Sequence, residues 1–245
     1  MTLLAVERIK LFSTRSPLWC ILLSLVLTLG FSGLVSANQP SEVPLTVEGS
    51  QAGAVFGLIV IMVMAALSVT TEYRFSTIRA SFQAVPNRIS LLLAKAAVVG
   101  IVSGVVGEVI GFASWFIARI IRPSSQLALD NAAAWRDVAG IGLIYALAAV
   151  IAVAVGILIR QSAGAITILL VYSLLVENLI ALVPHFGPDI QKWMPFIQAS
   201  NFAPVSMGGL HADMPLSPWG SLAYFAAFAA VLFGIALTVA KRRDA

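Results

Sequence analysis

Six long apolar stretches separated by shorter polar ones account for most of the chain. Taking roughly 20 residues per membrane crossing, they fall at residues 18–36, 52–69, 91–121, 138–159, 163–183 and 219–240, and each predicts a transmembrane helix. At about 1.5 Å per residue, the third is long enough to cross with tilt and still project. Between the fourth and fifth stretches the connection shrinks to Arg160, Gln161 and Ser162. Residues 37–51, 122–137 and above all 184–218 form longer connections. The last carries Pro184, Pro188, Pro195, Pro204, Pro215 and Pro218 around "FGPDIQKWMPFIQ", a pattern that predicts short, broken interfacial helices and no soluble domain. Before the first stretch, Leu4, Ile9, Leu11 and Phe12 interleave with Glu7, Arg8 and Lys10. Periodicity there fits an amphipathic interfacial helix and an ordinary charged flank equally well. Residues 1–245 are expected to form a single all-α transmembrane domain.

Composition turns that pattern into a class. Hydrophobic residues make up 60% of the chain and charged residues 11%, with a mean hydropathy of +0.97. Soluble domains carry about 25% charged residues, so the chain reads as an integral membrane protein. Its single cysteine, Cys20, excludes an internal disulfide framework and a cysteine metal cluster. Cys20 is expected to be a small membrane hydrophobe. The formal charge of +4 does not indicate nucleic acid, because the basic residues flank the apolar stretches as topology signals do. With the N-terminus inside, only Arg119, Arg122, Arg136 and Lys192 fall outside. The positive-inside rule then places both termini in the cytoplasm, and the expected location is the cell membrane. Val35-Ser36-Ala37 looks like a signal-cleavage site, yet the apolar run before it exceeds the roughly 7–15 residues of a signal core. The first span is therefore expected to be retained.

Much chemistry is absent. None of the four lysines follows a glycine, so the chain carries no phosphate-binding Gly-Lys motif and no ATPase of its own. His185 and His211 both lie in the 184–218 connection and are expected to be solvated loop residues. Serines such as Ser114 lie within spans without a histidine partner, which disfavours an intramembrane serine protease. Two acids do fall inside spans, Glu108 and Glu177, the latter beside Asn178. An intramembrane acid costs at least about 2.5–3.5 kcal/mol at a helix centre and is by default a functional candidate. Pathway lining and structural hydrogen bonding are both open for these residues. Gly104, Gly107 and Gly111 surround Glu108 and predict close helix packing, and Gly100, Gly156 and Gly164 extend the same small-residue theme.

The segment "TTEYRFSTIRASFQAVPNR", Thr70 to Arg88, lies between the second and third spans. Glu72 near its start, Phe75, Ile78 and Phe82 at spacings of three and four, and a stop at Pro86 predict a short helix across the cytoplasmic face. A topogenic loop would explain its arginines but not the stripe. Thr71-Glu72-Tyr73-Arg74, Thr77-Ile78-Arg79, Pro86-Asn87-Arg88 and Lys95 resemble the signature that follows the second helix in permease subunits of the ABC-2 class of ATP-binding-cassette exporters, with Ser76 where that class usually has glycine. Six spans, a cytoplasmic N-terminus and a long broken connection before the last span extend the resemblance over essentially the whole chain.

The resemblance implies a coupling helix over residues 72–88, with Glu72, Tyr73, Arg74, Thr77, Arg79 and Arg88 contacting a separate ATPase. Two such ATPases, carrying ATP and magnesium, would work with this chain and a second permease, identical or homologous. The chain itself would hold no cofactor. The cargo implied is an amphipathic drug, antibiotic, peptide or lipid, with polysaccharide less suited to such aliphatic spans. Glu72 and Arg79 are expected to be exposed contacts. Two alternatives remain open: a proton-coupled secondary transporter using Glu108 or Glu177, and a non-transporting scaffold or immunity protein.

Overall fold

The computed structural model describes residues 2–40, 43–85, 87–205 and 214–243. Among the described residues every regular element is helical. In chain order they are α1 (Leu3–Ser13), α2 (Arg15–Asn38), α3 (Val47–Ser50), α4 (Ala54–Arg74), α5 (Thr77–Ala84), α6 (Arg88–Ile121), α7 (Ala132–Ile159), α8 (Ser162–Leu170), α9 (Glu177–Leu179), α10 (Gly187–Gln191), α11 (Pro195–Phe202) and α12 (Pro218–Arg243). Six helical segments are long and apolar enough to cross a membrane: α2, α4, α6, α7, the run Ser162–Leu182 and α12. They coincide with the six apolar stretches, extended by a few residues at most ends. The Ser162–Leu182 run is irregular, passing from α8 through a π-helical turn at Val171–Val176 into α9 and a 3-10 turn. An even number of crossings returns the chain to the end where it began, and Arg243 Nη1 there donates to the Leu158 carbonyl at 3.4 Å.

The six spans form two tiers. Buried residues fill 61%, 56% and 67% of the most apolar stretches of α4, α6 and α7, against 17% and 22% for α2 and α12 and 17% for the Ser162–Leu182 run. Glycine sets the closeness of the inner tier. A Cβ on Gly107 would stand 2.9 Å from the Gly142 Cα, and one on Gly156 would stand 2.5 Å from Val69 Cγ1. The small face predicted on α6 thus packs on α7, and Gly156 packs α7 on α4. Gly164 meets only Ile159, at the very end of α7, and Gln161 of the adjoining connection, so it does not extend that face.

α2 is built inside out. Leu18, Trp19, Leu22, Leu23, Val26 and Leu27 are exposed, while Ser24, Thr28, Ser32 and Ser36 are buried. Spaced by four, these hydroxyls share one helix face. They meet the start of α4, where Ser24 Oγ donates to the Gly57 carbonyl at 3.2 Å and Ser32 Oγ accepts from Gly53 N at 3.2 Å. From α7, Tyr145 Oη adds a 2.6 Å bond to the Ala54 carbonyl. Against lipid an apolar surface is at no disadvantage, so small polar groups between helices can hold them together.

α1 is a helix in its own right, separated from α2 by extended backbone at Thr14. Its Leu11 joins the core and Glu7 is buried, while Leu4, Ile9 and Phe12 are exposed. The segment is thus helical, with one side packed on the bundle.

One expectation is corrected. Glu72, Tyr73 and Arg74 do not belong to the short helix after the second span; α4 continues through Arg74 and closes with Phe75 N bonding the Thr71 carbonyl at 3.0 Å. The short helix begins at Thr77, so Phe75 precedes it and is 68% exposed, while Ile78 is buried. The continuation has a physical cause: Glu72 on the last turn is held by Lys95 of α6. The connection before α12 does break into short helices, α10 and α11, and α11 is packed into the protein. Pro195, Phe196, Gln198, Ala199, Ser200 and Phe202 are buried, because Phe196 stacks edge-on against Phe225 of α12 and Phe202 covers Gly140 of α7.

Candidate functional site

At the end of the bundle that carries the termini, four charged side chains converge from three helices. Lys95 Nζ of α6 lies 2.6 Å from Glu7 Oε2 of α1 and 2.9 Å from Glu72 Oε1 of α4. Lys10 Nζ lies 2.7 Å from Glu7 Oε1 and 3.7 Å from Glu72 Oε1. The side chains of Glu7, Lys95 and Glu72 are 2%, 4% and 13% exposed. Removing such charges from water is costly, and mutual pairing offsets the cost. Burial pushes the Glu7 carboxyl up, but the fields and hydrogen bonds of Lys95 and Lys10 outweigh it and hold it below the ordinary glutamate value.

Glu72, expected to be exposed, is therefore an internal partner. Lys95 was legible as part of the motif, but its pairing with Glu7, 88 positions away in the chain, was not. The alternation of Glu7 and Lys10 three residues apart on one helix face was the signal available for α1.

The same cluster reaches α5. Lys10 Nζ donates to Ser81 Oγ at 2.9 Å, so the short helix is tied to α1 as well as to α4. Ser76 forms the corner between α4 and α5 with φ 58°, in the left-handed region where a Cβ is strained and glycine is not. Thr77 is exposed and its hydroxyl donates to the Glu72 carbonyl at 3.4 Å. Arg74 is exposed and its guanidinium lies 5.5 Å from the centre of the Phe75 ring. Tyr73 lies under the Arg160 guanidinium, 4.9 Å from its ring centre. Asn87 caps α6, its Oδ1 accepting from Ile89 N and Ser90 N, and Arg88 opens that helix half-buried. The side chains of Arg79 and Phe82, and Pro86, lie outside what is described.

A cavity of about 510 Å³ opens beside the cluster, between the α1–α2 elbow and the facing sides of α4 and α6. Glu7, Lys10, Glu72 and Lys95 line it together with Leu11, Met64, Leu67 and Val98.

The intramembrane acids are placed differently. Glu177 is fully buried, its Oε1 accepting from Phe196 N at 3.1 Å and its Oε2 from Ile197 N at 3.0 Å. These are free N–H groups of the first turn of α11, so Glu177 caps a helix of another segment. Glu108 is half-buried across Gly142 of α7, where a Cβ would stand 2.5 Å from Glu108 Oε1. Asn178 is exposed and donates to the Leu174 carbonyl at 2.9 Å. His185 is exposed in a turn with φ 72°, and His211 lies outside the described residues. The site candidates thus divide into a cluster at the termini end, a capping acid near the opposite end and Glu108 between α6 and α7.

A comparison of the chain with protein-family models, curated proteins and solved structures finds no match.

Proposed function

We propose that this chain is the membrane-spanning permease subunit of an ATP-driven exporter, moving an amphipathic or hydrophobic cargo outward in response to a separate ATPase. The observation that carries the proposal is α5: a short helix outside the bundle, set off by the left-handed corner at Ser76 and tied back through Lys10 to the charged cluster. A glycine is the usual residue at that corner in the signature the segment resembles, and the φ of Ser76 supplies a physical reason for it.

The arrangement supports transmission. A push on α5 reaches α1 through the Lys10–Ser81 bond and α4 through the corner itself. From there Glu7 and Glu72 both lead to Lys95 on α6, which packs along α7 through glycine. The inner tier of α4, α6 and α7, the most buried of the spans, runs from one end of the bundle to the other. In this reading both termini and α5 face the cytoplasm, ATP and magnesium belong to the partner, and a second permease completes the exporter.

The test is purification of the chain from its native membrane in mild detergent, with mass identification of what stays bound. A stoichiometric ATP-binding-cassette ATPase is the expected result. Recovery of the chain alone, with proton-dependent flux in liposomes, would sink the proposal.

That second outcome has its own support in Glu108, an acid within a span that has no hydrogen bond or ion pair among the described residues. A proton-coupled transporter would lose flux on Glu108→Gln. The ATP-driven exporter would not require its ionisation.

A further inference from the structure

We propose that the cavity beneath the α1–α2 elbow binds an uncharged, hydroxyl-bearing amphiphile of the monoacylglycerol type. Its volume of about 510 Å³ lies in the range of about 300–1,000 Å³ in which small molecules are held. Its polarity is graded along the bundle. Glu72 and Thr77 line it at the termini end, and Met64 of α4 and Val98 and Val99 of α6 line it further in. From Glu72 back to Met64 the α4 helix rises about 12 Å. Such a cavity suits a molecule with a polar head at the membrane surface and an apolar tail directed inward.

The character of the head follows from what the wall leaves unused. The charges of Glu7, Glu72, Lys10 and Lys95 cancel, and each is engaged with an opposite one. An ionised head would give up its hydration without gaining a free counter-charge. Glu72 Oε2, buried with no hydrogen-bond partner, and three of the wall's hydroxyls point to a head that donates. Ser13 Oγ donates to the Lys10 carbonyl at 2.8 Å, Thr71 Oγ1 to the Leu67 carbonyl at 2.6 Å and Thr77 Oγ1 to the Glu72 carbonyl at 3.4 Å. Their protons are committed, so what they offer a ligand is oxygen lone pairs. A glycerol head provides matching O–H donors and no charge. Binding does not rest on the exporter reading, because every wall residue belongs to this chain.

The full chain, reconstituted alone in phosphatidylcholine vesicles without nucleotide, is exposed to a diazirine-bearing monoacylglycerol and irradiated. Labelled peptides are mapped by mass spectrometry. Labelling is expected to concentrate around Met64, Leu67 and Val98 and to fall roughly tenfold in Leu67→Trp, whose indole obstructs the apolar part of the cavity. Unlabelled monoacylglycerol is expected to compete, whereas the fatty acid and the alkyl-trimethylammonium of equal chain length do not. Thr71→Val, which keeps shape and removes the acceptor, serves if the tryptophan variant does not fold and is expected to weaken competition several-fold.

Labelling spread over lipid-facing positions such as Ile101 and Val105, unchanged in both variants, would show bulk bilayer lipid only and overturn the proposal. Equal competition by the ionised analogues would also overturn it. With specific labelling established, retention of the ligand through gel filtration identifies a resident lipid and rapid exchange identifies a cargo. Both keep the assignment of the site. Because no ATPase is present, failure here leaves the permease proposal standing, and an absent ATPase partner leaves this site standing.

Discussion

At the end of the bundle that carries the termini, Glu7 and Glu72 face the ammonium groups of Lys10 and Lys95. Towards the opposite end, Glu177 faces the backbone N–H groups of Phe196 and Ile197. Both arrangements keep a carboxylate out of water, but they hold different things. The first joins three helices and the short α5 through long side chains that can change partners without a change in backbone. The second fixes the first turn of α11 by its main chain, so the carboxylate cannot move without releasing that helix. A region held by side-chain ion pairs and a region held by main-chain hydrogen bonds differ in the partner chosen for the same functional group.

The sharpest way to break this comparison is Lys95→Met. It leaves Glu7 and Glu72 buried beside a single remaining cation, and removing one partner of a buried pair costs roughly 3–5 kcal/mol. The expected result is a large fall in thermal unfolding temperature in detergent, with α1 becoming cleavable at the Thr14 break. If stability is unchanged, the cluster is not what anchors α1.

Glu177→Ala comes next. It strands the N–H groups of Phe196 and Ile197, at about 1–3 kcal/mol for each that solvent does not reach, the part-buried Ile197 losing the less. The effect is expected to be local: faster hydrogen exchange in α11 with exchange in α6 and α7 unaltered. Glu177→Gln keeps one acceptor and is expected to fall between. A loss of exchange protection throughout the bundle would remove the distinction between the two regions.

Acid separates them by a third route. The Glu7 carboxyl is held below its ordinary value in the folded chain, so its stabilisation is complete at neutral pH. It is lost as the pH falls through that lowered value, beneath the ordinary glutamate pKa of about 4.3. Protection of α1 from protease is therefore expected to persist through mildly acidic pH and fail below it, and Glu7→Gln is expected to abolish the pH dependence. The smallest effect is expected from Ser76→Gly. Relief of the left-handed strain, roughly 1–2 kcal/mol, is partly offset by the roughly 0.5–1 kcal/mol of extra chain entropy that glycine loses, so the variant should unfold at the same temperature or slightly higher, whereas Ser76→Val should unfold lower.

Some of this was legible before any coordinates. The six spans follow from runs of apolar side chains that water rejects, and their positions agree with the helices to within a few residues except at the C-terminal end of α4 and the N-terminal end of α7. Close packing at Gly107 and Gly111 follows from the absence of a Cβ. The Ser24, Thr28, Ser32 and Ser36 stripe was equally readable from its spacing of four, although a search for apolar faces passes over it, because in a membrane the buried face of a helix can be the polar one.

Other features could not be read from the order of residues. Glu7 and Lys95 are far apart in the chain, and either could have been a solvated flank. Only the fold brings α1 across the start of α6 and makes them partners. That Glu177 caps α11 depends on the fold turning the first free N–H groups of that helix towards it.

By itself, then, the sequence determined the class of the protein, the number and place of its crossings and the interruption that became α5. These depend on local composition and on the transfer of side chains between water and an apolar phase. Only the tertiary structure decided which charges pair, which acid caps a helix and where a cavity remains. Those depend on distances between segments remote in the chain, and electrostatic and hydrogen-bond energies of buried groups change steeply over a few ångströms.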